Sequence, residues 1–153
     1  MKNEHGFTLI ETLVALALIV ILSSAGIGGW QRWQSQQRLW QTALQVRLFL
    51  ERLRDEANWQ NQSQRVYAVR ENKEWCLANT RTHVCGTEGR FILQPAWPEV
   101  ELVEITPSLG FFGLRNTAWP GHVHLRSDAG EWRVVVSAWG RIRMCQKTAG
   151  NTC

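Results

Sequence analysis

The chain opens MKNEHGFTLIETLVALALIVIL (residues 1–22), and one residue of that stretch contradicts the rest. From Phe7 to Gly29 the only charged side chain is Glu11. As a helix those residues would extend about 35 Å at about 1.5 Å per residue, enough to cross a hydrocarbon core of about 30 Å. A carboxylate at such a depth costs on the order of 3 kcal/mol and is usually kept for a function. The fold depends on how this segment is read.

Two ordinary readings fit poorly. A secretory signal peptide would use the small residues Ser23 and Ala25 as a cleavage site. The apolar run is long for that purpose, and Lys2 is offset by Glu4, so the leading charge is feeble. A plain uncleaved anchor leaves Glu11 without a reason.

A third reading accounts for both the glycine and the glutamate. Gly6-Phe7-Thr8-Leu9-Ile10-Glu11 resembles the processing site of type IV prepilins and type II secretion pseudopilins. The resemblance implies that residues 1–6 are a leader cut off after Gly6 by prepilin peptidase. It further implies that the new N-terminal Phe7 is methylated and that Glu11 is the fifth mature residue, used in filament assembly. Cleavage leaves an ammonium on Phe7, one helical turn from Glu11. A buried charge is expensive alone and much less so when paired. In the family the partner is the amine of a neighbouring subunit; the chain's own amine is the other candidate.

Charge does not settle the topology. Lys2 precedes the span and Arg32 and Arg38 follow it, so the positive-inside rule does not put the C-terminal side outside. The resemblance does: the leader is cytoplasmic and the body periplasmic, with residues 7–29 in the inner membrane. Trp30 and Trp33 would then lie at the outer interface, where aromatic residues collect.

Beyond the Gly28-Gly29 pair, expected to be a soft point, the sequence turns polar but keeps a helical period. Leu39, Ala43, Val46, Leu50, Leu53 and Ala57 recur at alternating four- and three-residue steps, which makes one apolar stripe. No proline occurs before Pro95. The helix is therefore predicted to run from about Thr8 to about Trp59, with residues 30–59 in the periplasm. The repeat is short for a coiled coil, so the stripe is expected to pack on a domain.

That domain, residues 60–153, reads as β-rich. RVYAVR (65–70), KEWCLA (73–78), RFILQ (90–94), VELVEI (100–105), GHVHLRS (121–127), EWRVVVSAW (131–139) and GRIRMC (140–145) look like strands. Asn72, Pro95 to Pro98, Thr106-Pro107, Ser127 to Gly130 and Gly140 punctuate them. The expected class is α+β, pilin-like, with a long helix packed on antiparallel sheet. The stretch from Phe111 to Cys145 also resembles the end of GspH/FimT-type minor pseudopilins, with Gly113, Gly121, Gly130 and Gly140 at turns. That implies a minor subunit that primes or tips a filament together with other minor and major pilins.

Four cysteines, Cys76, Cys85, Cys145 and Cys153, contain no CxxC pair, so a zinc site is not expected. An export-type N-terminus suggests disulfides. Three pairings are possible; the local pairs Cys76–Cys85 and Cys145–Cys153 are favoured, the second to hold the C-terminus.

No catalytic set is legible: there is no phosphate-cradling glycine loop and no serine–histidine–acid pattern. His122 and His124 share a strand face, a spacing some metal sites use, but no third ligand is evident and surface histidines are the simpler reading. No enzyme activity, metal or cofactor is expected. The net charge of +4 is spread among 17 cationic and 13 anionic residues. A basic run in the C-terminal half, including Arg126, Arg141, Arg143 and Lys147, leaves a filament-tip DNA receptor or adhesin as the alternative, with Trp139 available to stack on a base.

Overall fold

The structure is a computed structural model that describes residues 8–72, 74–114 and 116–147, with residues 25–27 described in backbone only. It divides into two compact units, Met1–Gln34 and Ser35–Cys153.

One helix, α1 (Leu9–Gln60), occupies the N-terminal third. It runs unbroken through Gly28 and Gly29, and nothing approaches either glycine. In the first unit its large apolar side chains, from Leu9 to Leu22, are exposed. In the second, the sequence stripe is the buried face: Leu39, Ala43, Val46, Leu50, Leu53 and Ala57 are all at most 1% exposed. Phe49 and Thr42 widen that face; the Thr42 hydroxyl donates to the carbonyl of Arg38 at 2.9 Å and so is satisfied within the helix. The helix stops at Asn61, which takes a left-handed φ of 52°. There the amide of Gln62 donates back to the carbonyl of Ala57 at 3.1 Å, the terminal closure of a Schellman-type cap.

Among the described residues ten strands follow, all paired antiparallel. They are β1 (Gln64–Arg65), β2 (Tyr67–Glu71), β3 (Glu74–Ala78), β4 (Ile92–Leu93), β5 (Glu101–Ile105), β6 (Gly110–Phe111), β7 (Ala118–Trp119), β8 (Gly121–Ser127), β9 (Gly130–Val136) and β10 (Ile142–Gln146). They form a four-stranded sheet, β10-β9-β8-β5, and two smaller sheets, β2-β3-β4 and β1-β6-β7. The fold is the expected α+β, a long helix followed by antiparallel sheets.

The inner face of the four-stranded sheet carries Leu102, Val123, Leu125, Val134, Val136 and Ile142, and these share one buried cluster with the α1 stripe. Side chains alternate across a strand, so His122, His124, Arg133, Val135 and Arg143 take the opposite face. The β2–β3 hairpin turns at Asn72, whose φ of 48° is what a two-residue hairpin turn requires. The Trp75 indole then donates to the carbonyl of Val100 at 2.8 Å, tying β3 to the approach to β5.

Three differences from the sequence reading stand out. The two-residue strands β1, β6 and β7 were not legible. The segment 131–139 is not one strand: β9 ends at Val136, and Ser137 to Gly140 form a turn closed by the Gly140 amide on the carbonyl of Ser137 at 2.9 Å. Gly140 there has a φ of 69°, which L side chains rarely adopt. Gly121 opens β8 rather than marking a turn.

Candidate assembly segment and basic face

Helix α1 begins just before Glu11. The amide of Glu11 donates to the carbonyl of Thr8 at 3.0 Å, and the amide of Thr12 to the same oxygen at 3.3 Å. The Thr12 hydroxyl donates to the carbonyl of Leu9 at 2.8 Å. Glu11 thus sits in the first turn, exposed, where the unpaired amides of the helix start favour a negative charge. Gly6 and Phe7 lie outside the described residues.

The helix that follows is long and apolar enough to cross a membrane by length and composition. Its serine hydroxyls are satisfied within the helix: Ser23 donates to the carbonyl of Ile19 at 2.7 Å and Ser24 to that of Ile21 at 2.8 Å. That suits a medium with no water to bond them. Trp30 and Trp33 lie at the end of this stretch, exposed, with ring centroids 5.2 Å apart.

Residues 1–27 match the family model of the prokaryotic N-terminal methylation motif. No curated protein and no solved structure matches the chain. The matched segment covers Gly6, Phe7, Glu11 and the first part of α1. With the apolar helix, it supports a membrane-anchored, type IV pilin-like protein, of the kind that prepilin peptidase processes and that assembles with other pilins.

The remaining sequence candidates are scattered over the second unit. Cys76 and Cys85 form a disulfide, joining β3 to the loop that leads to β4. Cys145 lies on β10; Cys153, its expected partner, lies outside the described residues.

The basic residues do not form one patch. Arg126 on β8 pairs with Glu101 at 3.3 Å, and Lys147 pairs with Glu131 at 3.0 Å. Glu131 stands directly opposite Arg126 in the β8–β9 register, so acid interrupts that end of the sheet. Lys147, and after it His124, donate to the Glu131 carboxylate and hold it below the usual carboxylate range. Arg141 and Arg143 lie toward the other end, exposed, and with Trp139, Val135 and Met144 they line a cleft of about 450 Å³.

His122 and His124 do share a face, but each has its own carboxylate. Nε2 of His124 is 2.9 Å from Glu131 Oε2, and Nε2 of His122 is 3.5 Å from Glu104 Oε2. Among the described residues no group of three histidine, cysteine or carboxylate side chains is placed to hold a metal.

Proposed function

We propose that the chain is a minor pilin or pseudopilin of the GspH/FimT branch, made as an inner-membrane precursor and cut between Gly6 and Phe7. In this reading residues 1–6 form the leader, residues 7–29 span the bilayer, and residues 30–59 and the domain from residue 60 onward face the periplasm. The mature N-terminus is methylated Phe7. The observation that carries the reading is the match over residues 1–27, with Glu11 in the first turn of an exposed apolar helix.

The proposed mechanism is association. In lipid, the Glu11 carboxylate gains far more from an ammonium partner than it would in water. In the single subunit the available amine is its own, on Phe7. In a filament, the amine of the adjacent subunit takes over, and subunits add where this pairing is completed. The β-rich domain sets position at the tip with other minor pilins, and the major pilin follows behind.

Co-expression with a prepilin peptidase tests the reading. The expected product has the N-terminal mass of methylated Phe7. A retained leader, or a cut near Ala25, overturns it.

One observation favours a second activity for the domain. Trp139 is 78% exposed beside Arg141 and Arg143, neither of which has a carboxylate partner among the described residues. Cations next to an open indole suit single-stranded DNA. Binding at low salt that weakens steeply as salt rises is the expected sign; no binding at low salt removes this reading.

A further inference from the structure

Strands β2 and β5 each lie at the edge of a sheet, and a cleft opens between them. They diverge from a closed end. Gln64 pairs with Phe111 and Arg65 with Gly110, and the amide of Val66 donates to the carbonyl of Leu109 at 2.9 Å. Past Val66 the two chains separate. Val66 to Arg70, Arg81 and Ile105 to Pro107 line a cleft of about 540 Å³, within the range of ligand sites.

Both walls present backbone. The Val66 amide points away from β3, toward Leu109, and hydrogen-bonding direction alternates along a strand. Ala68 and Arg70 therefore turn their amides and carbonyls into the cleft. Just past β5, the amide of Thr106 donates to the carbonyl of His122 on β8 at 3.0 Å, so Ile105 turns toward the cleft. Among the described residues no strand pairs with either edge here. An open edge of this kind is a template for a further strand.

A side chain already occupies part of that edge. The β5 register shifts between Leu102 and Glu104, and the Arg70 guanidinium donates to the carbonyls of both Leu102, at 2.9 Å, and Val103, at 3.3 Å. Arg70 stands where the amides of an added strand would stand. Arg81 lies over the Tyr67 ring, 5.1 Å from its centroid. Among the described residues these two arginines are the only charged ones lining this cleft, which Arg70 separates from a neighbouring one lined by Glu71, Glu74 and Glu101, and neither arginine has a carboxylate partner.

We propose that this cleft takes an extended acidic segment of a partner polypeptide, added as a strand between β2 and β5 with a carboxylate against Arg70 and Arg81. The edges supply main-chain hydrogen bonds, the usual source of affinity in strand addition. The arginines select the sign of the side chains through charge-assisted bonds. This docking goes beyond assembly through α1 and stands whether or not Glu11 acts as proposed.

The test uses the full chain in detergent micelles and a fluorescein-labelled Val-Glu-Val-Glu-Val-Glu peptide, read by anisotropy. A Val-Lys-Val-Lys-Val-Lys peptide is the charge control. Saturable binding of the glutamate peptide is expected, weaker by about tenfold or more for the lysine peptide and for the Arg70→Gln protein. Ala68→Pro removes an edge amide and is expected to weaken binding similarly, since proline is tolerated on edge strands. If that variant does not fold, hydrogen exchange on the unaltered protein replaces it: the peptide must protect the amides of Ala68 and Ile105. No saturable binding, equal binding of both peptides, full affinity in Arg70→Gln, or no protection of those amides overturns the proposal.

Discussion

Gly113 packs directly on the backbone of Asn61. A Cβ placed on Gly113 would lie 2.3 Å from the carbonyl carbon of Asn61 and 2.3 Å from the amide nitrogen of Gln62. This is where α1 ends in its left-handed cap. Gly113→Ala must push backbone against backbone at that junction, so a loss of about 1–3 kcal/mol is expected, the range for overpacking. Gly29→Ala is the control, because a Cβ there meets nothing within 4 Å and alanine favours the helix by about 1 kcal/mol. Thermal unfolding of the full chain in detergent should show a lowered midpoint for the first variant and none for the second. Equal midpoints for Gly113→Ala and the unaltered chain would mean that the junction relaxes.

The disulfide between Cys76 and Cys85 closes a short loop, with a sequence separation of 9. Constraining a loop of that size is worth about 2–3 kcal/mol in the chain-entropy account. The Cys76→Ala, Cys85→Ala double variant should therefore unfold at a clearly lower temperature. Its loss should exceed that of Cys85→Ala in a chain already carrying Cys76→Ala, where no bond remains to be broken. Denaturation curves for the single and double variants give both numbers.

How far these features were legible in the sequence depends on the scale of the signal. The α1 stripe from Leu39 to Ala57 was readable because several turns repeat one period, and tertiary packing used that same face. The longer strands were readable from alternation, as in Val123, Leu125, Val134 and Val136. The strands β1, β6 and β7 were not, because two residues hold no period; their pairing depends on Gly110, where a Cβ would lie 2.6 Å from the carbonyl oxygen of Gln64. Glu11 stood out because lipid makes a charge conspicuous. Arg70 and Arg81 did not, because a lone arginine in a soluble segment looks like any solvated residue. Only the fold shows that Arg70 bridges two sheet edges. The basic residues from Arg126 to Lys147 were legible as charges but not as an arrangement, because sequence does not reveal that Arg126 pairs with Glu101 and Lys147 with Glu131 while Arg141 and Arg143 lie apart from them.

Glu131 gives the domain an acid-sensitive contact. Its carboxyl is held below the usual range by Lys147 and then by His124. A carboxyl depressed in the folded state contributes stability that is complete above its unfolded value of about 4.3 and is lost as pH falls through the folded value. Glu99, held down mainly by the Arg38 guanidinium, acts in the same direction. The unfolding midpoint should therefore fall as pH drops from about 5 to about 3. Glu131→Gln should flatten part of that fall while lowering the midpoint near neutral pH. A pH series of melting curves decides it; an unchanged slope in the glutamine variant would show that other carboxylates carry the acid response.

Glu11→Val separates the precursor's problem from the filament's. The carboxylate is a cost of about 3 kcal/mol to an inserted helix without a partner, so valine should make the single subunit more stable in the membrane. Cleavage after Gly6 needs no carboxylate at position 11 in the proposed mechanism, and the variant should be processed and methylated at the normal rate. It should then accumulate in the membrane, because the attraction that draws its helix to the neighbouring Phe7 amine is gone. An interaction of more than about 1.4 kcal/mol corresponds to a loss of at least tenfold in incorporation. Glu11→Asp keeps the charge on a side chain one methylene shorter and should restore part of it. The measurement is the ratio of subunit in sheared filaments to subunit in membranes, for the three chains side by side. Equal ratios would mean that Glu11 serves processing or insertion, and that filament entry is driven by the apolar face of α1 alone.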